Sequence, residues 1–280
     1  TLKTPPTTVV KSNVIYNLDG VNVAITSDHY PLYCDFKKPT GLEEYPKAEG
    51  DLRIGNYFLT YCKGTDGVID YDRTGRIIAK MNADIVCLQG LDKETERSEG
   101  IDQLNVLAQK TNMHDYFAKA IDYKGGEFGV GILTKEEPVS VDRYQMAGKS
   151  EMRAAMVVEY EKFVVASTNF DTDMAKRIEA LQTLETKLSA YNKPAFLLGY
   201  FNEGDLESEF FQMVKSNWNL LSADKSTEVS GKKRRLDFIV SLKSHNVNVT
   251  QTDVIESLSG VDVTVASTHY PLFCDFSGLK

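Results

Sequence analysis

A histidine with the surroundings of an acid–base catalyst occurs twice in this chain, in two copies of one segment. The two copies lie 240 residues apart and align without a gap. In the first copy Asp28 directly precedes His29, whereas in the second copy Thr268 precedes His269. A carboxylate beside an imidazole can fix its tautomer and raise its basicity, which is the chemistry of a general base. The second copy therefore retains the histidine without that neighbouring carboxylate.

Composition limits the kind of protein that this chain can form. The 280 residues, of which 42% are hydrophobic, are enough for one large core or two modest ones. The formal net charge of −8 disfavours a nucleic-acid partner, because phosphate binding depends on lysine and arginine. The apolar runs have the length of strands and are too short to span a bilayer. We therefore expect no membrane span and no strong nucleic-acid interaction.

The cysteines and one basic run have simple interpretations. Cys34, Cys62, Cys87 and Cys274 lie in apolar, strand-like contexts, which indicates buried free thiols rather than disulfides or a metal cluster. Residues 232–235 are all lysine or arginine. We expect them to form a solvated loop before a strand, and the alternative is a patch that faces phosphate.

Apolar periodicity predicts strands and helices that alternate along the chain. Strands outnumber helices and helices come between them, which favours a layered α/β domain with two sheets. The clearest helix has one apolar stripe over residues 174–191. The other predicted helices are 73–81, 100–110 and 207–215, and the predicted strands are 52–62, 84–88, 128–134, 152–160, 163–169, 195–200, 236–242, 247–255 and 270–276.

Five short motifs in this order resemble the endonuclease/exonuclease/phosphatase superfamily, whose members are magnesium-dependent phosphodiesterases and phosphatases. The resemblance covers about residues 52–276. It implies a four-layer α/β sandwich, with two central, mainly antiparallel sheets flanked by helices. The motifs are Leu-Thr-Tyr-Cys (59–62), Ala-Asp-Ile-Val-Cys-Leu-Gln-Gly (83–90), Val-Ala-Ser-Thr-Asn-Phe-Asp (165–171), Leu-Leu-Gly-Tyr-Phe-Asn (197–202) and Ser-Thr-His-Tyr-Pro (267–271).

The resemblance also implies which positions should carry the chemistry, and five of them are replaced. The family holds there, in chain order, an asparagine that helps to place the metal, the glutamate that binds it, a histidine that contacts the scissile phosphate, an aspartate that orients or deprotonates the attacking water, and an aspartate that orients a histidine. This chain has, in the same order, Cys62, Gly90, Asn169, Tyr200 and Thr268. The family residues that remain are Asn202, Asp237 and His269.

These replacements predict that hydrolysis by the family route is lost. Mg²⁺ prefers oxygen ligands that include carboxylates, and neither Gly90 nor Cys62 offers a side-chain oxygen. Tyr200 stands where the base should be, and a positioned acid or base contributes about 10²–10⁴-fold in rate. Thr268 is expected to leave His269 without the partner that fixes its tautomer. We therefore assign no catalytic residue and predict no cofactor.

The remaining polar residues have structural as well as functional interpretations. His269 is expected to be held by local hydrogen bonds, although it could bind an anion. Asp237 is expected to pair with an arginine or with His269, and it is a weak metal candidate. Asn202 is expected to cap the turn that follows it. The rings around Tyr200 would suit an anionic or carbohydrate ligand in the former cleft.

An alternative is a divergent metal-dependent phosphodiesterase or phosphatase with a rebuilt site. Asp92, Asp171 or Asp237 would then hold Mg²⁺, but nothing in their spacing demands it. The chain would in that case be a hydrolase, and whether it is an enzyme at all stays open at this point.

The duplicated segment suggests that the chain contains more than one domain. Residues 1–48 are interpreted as the tail of a preceding repeat with a linker, and they duplicate residues 247–276; residues 49–280 are the domain with the family motifs. The chain is then a binding or scaffold module of a tandem-repeat protein, cut at Thr1 from a longer chain, with the preceding repeat as its partner. We expect a bacterial cell-envelope or secreted protein.

A second reading of the duplication is structural competition between the two copies. Residues 7–36 could take the place of 247–276 in the sheet, within one chain or by a domain swap. We favour the C-terminal copy, because it follows its own domain directly. The oligomeric state stays open.

Overall fold

The computed structural model describes residues 8–15, 29, 32–37 and 44–280. The chain divides into two compact units, Thr1–Pro46 and Lys47–Lys280. In the described parts of the chain, no helix combines the length and the apolar character needed to cross a membrane.

The first unit contains one antiparallel β-hairpin. Its strands are β1 (Thr8–Val14) and β2 (Leu32–Lys37). The pairing register shifts between Val9 and Lys11, which marks a β-bulge in β1.

The second unit alternates strands and helices, as the apolar pattern predicts. Short 3₁₀ turns occur at Thr60–Cys62 and Glu96–Ser98. Its helices are α1 (Tyr71–Met81), α2 (Gln103–Thr111), α3 (Met174–Ser189), α4 (Glu209–Asn217) and α5 (Val263–Ala266). Its strands are β3 (Leu52–Phe58), β4 (Ile85–Lys93), β5 (His114–Tyr123), β6 (Gly126–Thr134), β7 (Ser140–Met146), β8 (Arg153–Glu159), β9 (Val164–Asn169), β10 (Ala195–Tyr200), β11 (Trp218–Leu220), β12 (Asp237–Leu242), β13 (Asn248–Val254) and β14 (Leu272–Ser277).

The strands of the second unit form two six-stranded sheets. Their orders are β11-β12-β10-β9-β8-β7 and β13-β14-β3-β4-β6-β5. Each sheet has one parallel pair, β9 with β10 and β3 with β4, and its other pairs are antiparallel. The sheets are therefore mainly antiparallel, as the resemblance implies.

Two hydrophobic cores define the layers of the second unit. One lies between the sheets and contains, for example, Ile54 of β3 and Leu198 of β10. The other lies between the first sheet and helices α3 and α4, with Leu184 and Phe211 among its members. Helix α2 covers the second sheet and packs against α1. This helix–sheet–sheet–helix arrangement confirms the predicted four-layer sandwich.

The structure departs from the predicted elements at a strand end and at three sheet edges. The predicted strand 52–62 ends at Phe58, because the residues of the Thr60–Cys62 turn all have positive φ angles, between 47° and 58°. Strands β5, β7 and β11 are absent from the sequence prediction. All three lie at sheet edges; polar side chains interrupt the apolar pattern of β5 and β7, and β11 has only three residues.

Three of the four cysteines are buried free thiols, as predicted. These are Cys62, Cys87 and Cys274. The side chain of Cys34 lies outside the described part of the chain.

The C-terminal copy of the repeated segment supplies the edge of the second sheet. Strands β13 and β14 form an antiparallel hairpin whose register shifts between Val249 and Gln251. Strand β14 also pairs antiparallel with β3, so that Asp275 lies opposite Arg53.

Candidate functional site

Three aromatic rings meet where the carboxyl ends of β3 and β10 approach the start of β14. Phe58 ends β3, Tyr200 ends β10, and His269 precedes β14. The ring centroids of Phe58 and Tyr200 lie 4.8 Å apart, and each lies 4.7 Å from the His269 centroid. His269 is only 5% exposed. The rings therefore cover a histidine that the resemblance assigns to the catalytic site.

Asp237 orients His269. The Nδ1 atom of His269 lies 2.6 Å from Oδ2 of Asp237, the fully buried first residue of β12. A carboxylate accepts hydrogen bonds, so Nδ1 is the donor and the tautomer is fixed. Of the two partners expected for Asp237, an arginine or His269, the structure contains the histidine.

The expectation that Thr268 would leave His269 without an orienting partner is wrong. The partner comes from β12 and not from the preceding residue. Neighbouring residues of an extended chain point to opposite sides, so Thr268 and His269 face different groups. The hydroxyl of Thr268 lies 3.0 Å from that of Thr60.

Gly90 lies beside Phe58. It has a φ of 72° and sits where the register of β4 and β6 shifts. A Cβ atom at Gly90 would lie 3.2 Å from Cε2 of Phe58 and 3.4 Å from the amide nitrogen of Thr60. The ring of Phe58 therefore lies where a longer side chain at position 90 would begin.

Cys62, which the motif places beside Gly90, lies elsewhere. The left-handed turn after β3 leads it beneath α1, where its thiol is hydrogen-bonded with Thr74. It is fully buried, and burial raises the pKa of its thiol to about 12. The neighbour of Gly90 is therefore Phe58, which the motif comparison did not single out. The signal that could have identified Phe58 is the parallel register of β3 and β4, which pairs it with Gln89.

Tyr200 is a neutral phenol at physiological pH. Burial is the main reason that its pKa lies above the ordinary value, and the nearby charge of Asp237 adds to it. A phenol in this state does not deprotonate water.

The side chains around Gly90 do not suit the Mg²⁺ ion that the fold implies. Gly90 has no side chain, Phe58 is apolar, and Tyr200 is a neutral phenol. Mg²⁺ needs oxygen ligands near octahedral geometry, usually with one or two carboxylates. Across the described residues, no group of three or more histidine, cysteine, aspartate or glutamate side chains is placed to hold a metal ion.

The two asparagines of the family motifs bind each other and the backbone. Asn169 ends β9, and Asn202 follows β10 with a φ of 55°. The amide of Asn202 donates to the carbonyl of Phe170 at 2.6 Å and to Oδ1 of Asn169 at 3.3 Å. The expectation that Asn202 caps the turn after it is wrong, because its side chain reaches back and joins the ends of two neighbouring strands.

The aspartates proposed for a rebuilt metal site are held by separate partners. Asp92 accepts two hydrogen bonds from Arg97, at 2.5 and 2.8 Å. Asp171 accepts one from Arg153 at 3.1 Å. Burial opposes the ionisation of Asp171, but the Asp173 amide and Arg153 outweigh it and lower its pKa. The structure therefore does not gather Asp92, Asp171 and Asp237 into one site.

The basic run before β12 is bound to acidic and backbone groups. Arg234 makes two hydrogen bonds of 2.7 Å to Glu228. Arg235 donates to the carbonyl of Ser222 at 2.6 Å and to Asp224 at 3.3 Å. These contacts agree with the interpretation as a loop before a strand.

The histidine of the C-terminal copy is the one described beside Asp237. His269 lies within hydrogen-bond distance of that carboxylate. His29 is exposed, and Asp28 lies outside the described residues. The C-terminal copy therefore supplies the histidine of this domain, as we favoured.

The structure is similar to several solved structures. An endonuclease/exonuclease/phosphatase from Beutenbergia cavernae is 18% identical, with a TM-score of 0.69 over 82% of this chain and 73% of that chain. A mannosyl-6-phosphatase of Bacteroides thetaiotaomicron is 15% identical, with a TM-score of 0.63 over 80% of this chain and 99% of that one. The catalytic domain of human Nocturnin is 20% identical, with a TM-score of 0.61 over 83% of this chain and 96% of that one.

Sequence comparison alone does not reach this result. No protein-family model and no curated protein matches the chain. At the identities of the solved structures, the likeness establishes the fold, and it confirms the fold that the five motifs predict.

Proposed function

We propose that this chain, whose larger unit has the endonuclease/exonuclease/phosphatase fold, is a catalytically degenerate module that binds or positions a partner and does not hydrolyse phosphoesters. The observation that carries the proposal is the contact of Phe58 with Gly90 and His269. The resemblance implies a metal ligand at position 90, and an apolar ring lies beside that position. Without the metal, the charge that develops on a phosphate in the transition state lacks its main electrostatic partner.

The state of the remaining acid–base groups supports the same conclusion. His269 keeps its Asp237 partner, but the rings of Phe58 and Tyr200 cover it. Tyr200, in the place of the family's aspartate, has a raised pKa and holds its proton. Tyr200 therefore supplies no general base at this position, and the two rings cover the histidine.

The partner that we propose is a preceding repeat of the same fold in a tandem-repeat protein. The support is the duplicated segment, since β1–β2 repeats the hairpin of β13–β14. A fold can persist after its active site is lost, because folding and chemistry depend on different residues. The partly exposed rings of Phe58 and Tyr200 would also suit a carbohydrate ligand.

One observation favours the second candidate, a divergent phosphodiesterase or phosphatase. The buried Asp237–His269 pair is intact, and Oδ1 of Asp237 has no hydrogen-bond partner among the described residues. Buried polar atoms without partners are rare and are often found at functional sites. A rebuilt metal site would have to use this atom.

The test is a calorimetric titration of the full chain with Mg²⁺ and Mn²⁺, beside hydrolysis of bis(p-nitrophenyl) phosphate in the same buffer. We expect no saturable heat and no turnover above the uncatalysed rate. The variants are Asp237→Asn, which keeps the shape of the side chain, and Asp122→Asn as an exposed control.

The opposite result is equally distinct. Saturable metal binding with turnover that Asp237→Asn abolishes and Asp122→Asn preserves would overturn the proposal and establish the hydrolase. Turnover that both variants preserve would point to a contaminating enzyme and leave the degenerate site in place.

A further inference from the structure

The two hairpins share their register to the residue. In the first hairpin, Thr8 pairs with Lys37 and Val14 pairs with Leu32. The pairs of the second hairpin lie 240 residues further along, and so does its bulge. A slip of one residue would turn every side chain to the other face of a strand. The two hairpins therefore share one backbone register, with equivalent residues at equivalent positions.

In the second hairpin, β14 also pairs with a third strand. Strand β14 lies beside β3, and Asp275 accepts hydrogen bonds from Nε and Nη2 of Arg53 at 2.6 and 2.7 Å. Both side chains are buried. A buried guanidinium without a carboxylate partner is strongly destabilising, so this position of the hairpin is chemically specified.

The first hairpin repeats four residue types of β14, and the exposure of Leu32 differs from that of its equivalent. Positions 272, 274, 275 and 276 of β14 are leucine, cysteine, aspartate and phenylalanine, and positions 32, 34, 35 and 36 of β2 are the same four types. Leu272 is fully buried, whereas Leu32 is 70% exposed in a two-stranded sheet. The edge of such a strand, with an exposed apolar residue, is a template for pairing with another strand.

We infer that β2 docks antiparallel on a β3-type strand of a second domain of this fold, where Asp35 accepts the hydrogen bonds of the arginine equivalent to Arg53. The inference rests on the proposed tandem role for the identity of the partner, but not on the loss of catalysis. The partner must therefore contain a strand with an unpaired edge and with a buried arginine as its second residue.

The test uses two full-length copies of the chain, one as donor and one as recipient. In the recipient, Asp275→Asn weakens the pairing of β14 with β3. Asp35→Asn removes the carboxylate that would accept hydrogen bonds in the recipient's own first hairpin. The donor is the unmodified chain, labelled with a fluorophore. We expect the donor to bind the recipient, and an Asp35→Asn donor to bind at least about tenfold more weakly, because the arginine would stay unpaired.

Two controls make the result specific. A recipient with Asp35→Asn alone keeps its own β14 on β3 and should not bind the donor. If the recipient with Asp275→Asn does not fold, Leu272→Ala with Leu32→Ala replaces it, and donors with and without Leu32→Ala are compared.

Equal binding by the matched donors, or no binding to any folded recipient, would overturn the inference. Neither outcome bears on hydrolysis, which is measured separately. Conversely, phosphodiester turnover would overturn the degenerate site and leave this docking result intact.

Discussion

The amino end of β3 (the polar end) and its carboxyl end (the ring end) differ in how their polar groups are paired. At the amino end, Arg53 is buried with its donors directed at Asp275 and at the carbonyl of Met81. At the carboxyl end, Phe58 packs against Gly90 and His269. One end keeps a polar network in the core, and at the other end aromatic rings surround a buried histidine.

The contrast separates residues that specify the fold from residues that serve a site. A buried ion pair must be complete, because each unpaired charge is costly in a medium of low polarity. The Arg53–Asp275 pair meets this condition. At the other end Oδ1 of Asp237 has no hydrogen-bond partner among the described residues, and buried polar atoms without partners are often found at functional sites.

The largest effect should come from breaking the polar end. Arg53→Met keeps most of the side-chain volume but leaves Asp275 buried without a cation, so we expect a loss of about 3–5 kcal/mol in the free energy of unfolding. Urea unfolding of the full chain measures it.

The matched control is Arg234→Ala, which removes an arginine that is half exposed and paired with Glu228. We expect a loss of about 1 kcal/mol or less. The double variant Arg53→Met with Asp275→Leu should recover most of the stability, because no charge is then left unpaired. Similar losses for Arg53→Met and Arg234→Ala would contradict the contrast.

A smaller effect is expected at the ring end, from a side chain at Gly90. Gly90→Ala places a Cβ at positive φ, which costs about 1–2 kcal/mol for an L-residue. The added Cβ would also lie only 3.2 Å from Cε2 of Phe58. Combined with Phe58→Ala, the substitution should cost less than the sum of the two single losses, as a double-mutant cycle in urea would show. Strict additivity would mean that the ring does not restrict position 90.

The smallest effect concerns the pH dependence of the stability that the Arg234–Glu228 ion pair contributes. The hydrogen bonds from Arg234 lower the pKa of Glu228 from 4.5 to about 2. A carboxyl group whose pKa is lower in the folded state stabilises the fold above its unfolded pKa and loses that contribution as the pH falls. The stability difference between the native chain and Arg234→Ala should therefore be constant above about pH 5 and decline between pH 4.5 and 2.

This difference is expected to be about 1 kcal/mol or less, because the guanidinium is half exposed. The control is Lys215→Ala, whose partner Glu207 is largely exposed. A decline that begins near neutral pH would assign the effect to another group.

The sequence was sufficient to predict the fold, because its motifs depend on local order and spacing. Strand β10, for example, has the predicted bounds of 195–200. The edge strands β5 and β7 escaped prediction, since their polar residues carry no apolar pattern.

The site was predicted only in part, because contacts between distant strands depend on register. The sequence shows glycine at position 90 and tyrosine at position 200, which the resemblance compares with a glutamate and an aspartate. The pairing of His269 with Asp237 was one of two alternatives. That Phe58, rather than Cys62, adjoins Gly90 depends on three successive left-handed residues after β3, and none of them is a glycine that would have indicated the turn.

The pairing of β14 with β3 has a consequence for the synthesis of the chain. Strand β3 opens the second unit, and its neighbour β14 lies near the end of the described sequence. Ribosomes add about 5–20 residues per second, so β3 would leave the ribosome roughly ten seconds or more before β14. During that interval the nascent chain has an open strand edge and an arginine without its carboxylate, and the sheet can close only when translation of the domain is almost complete.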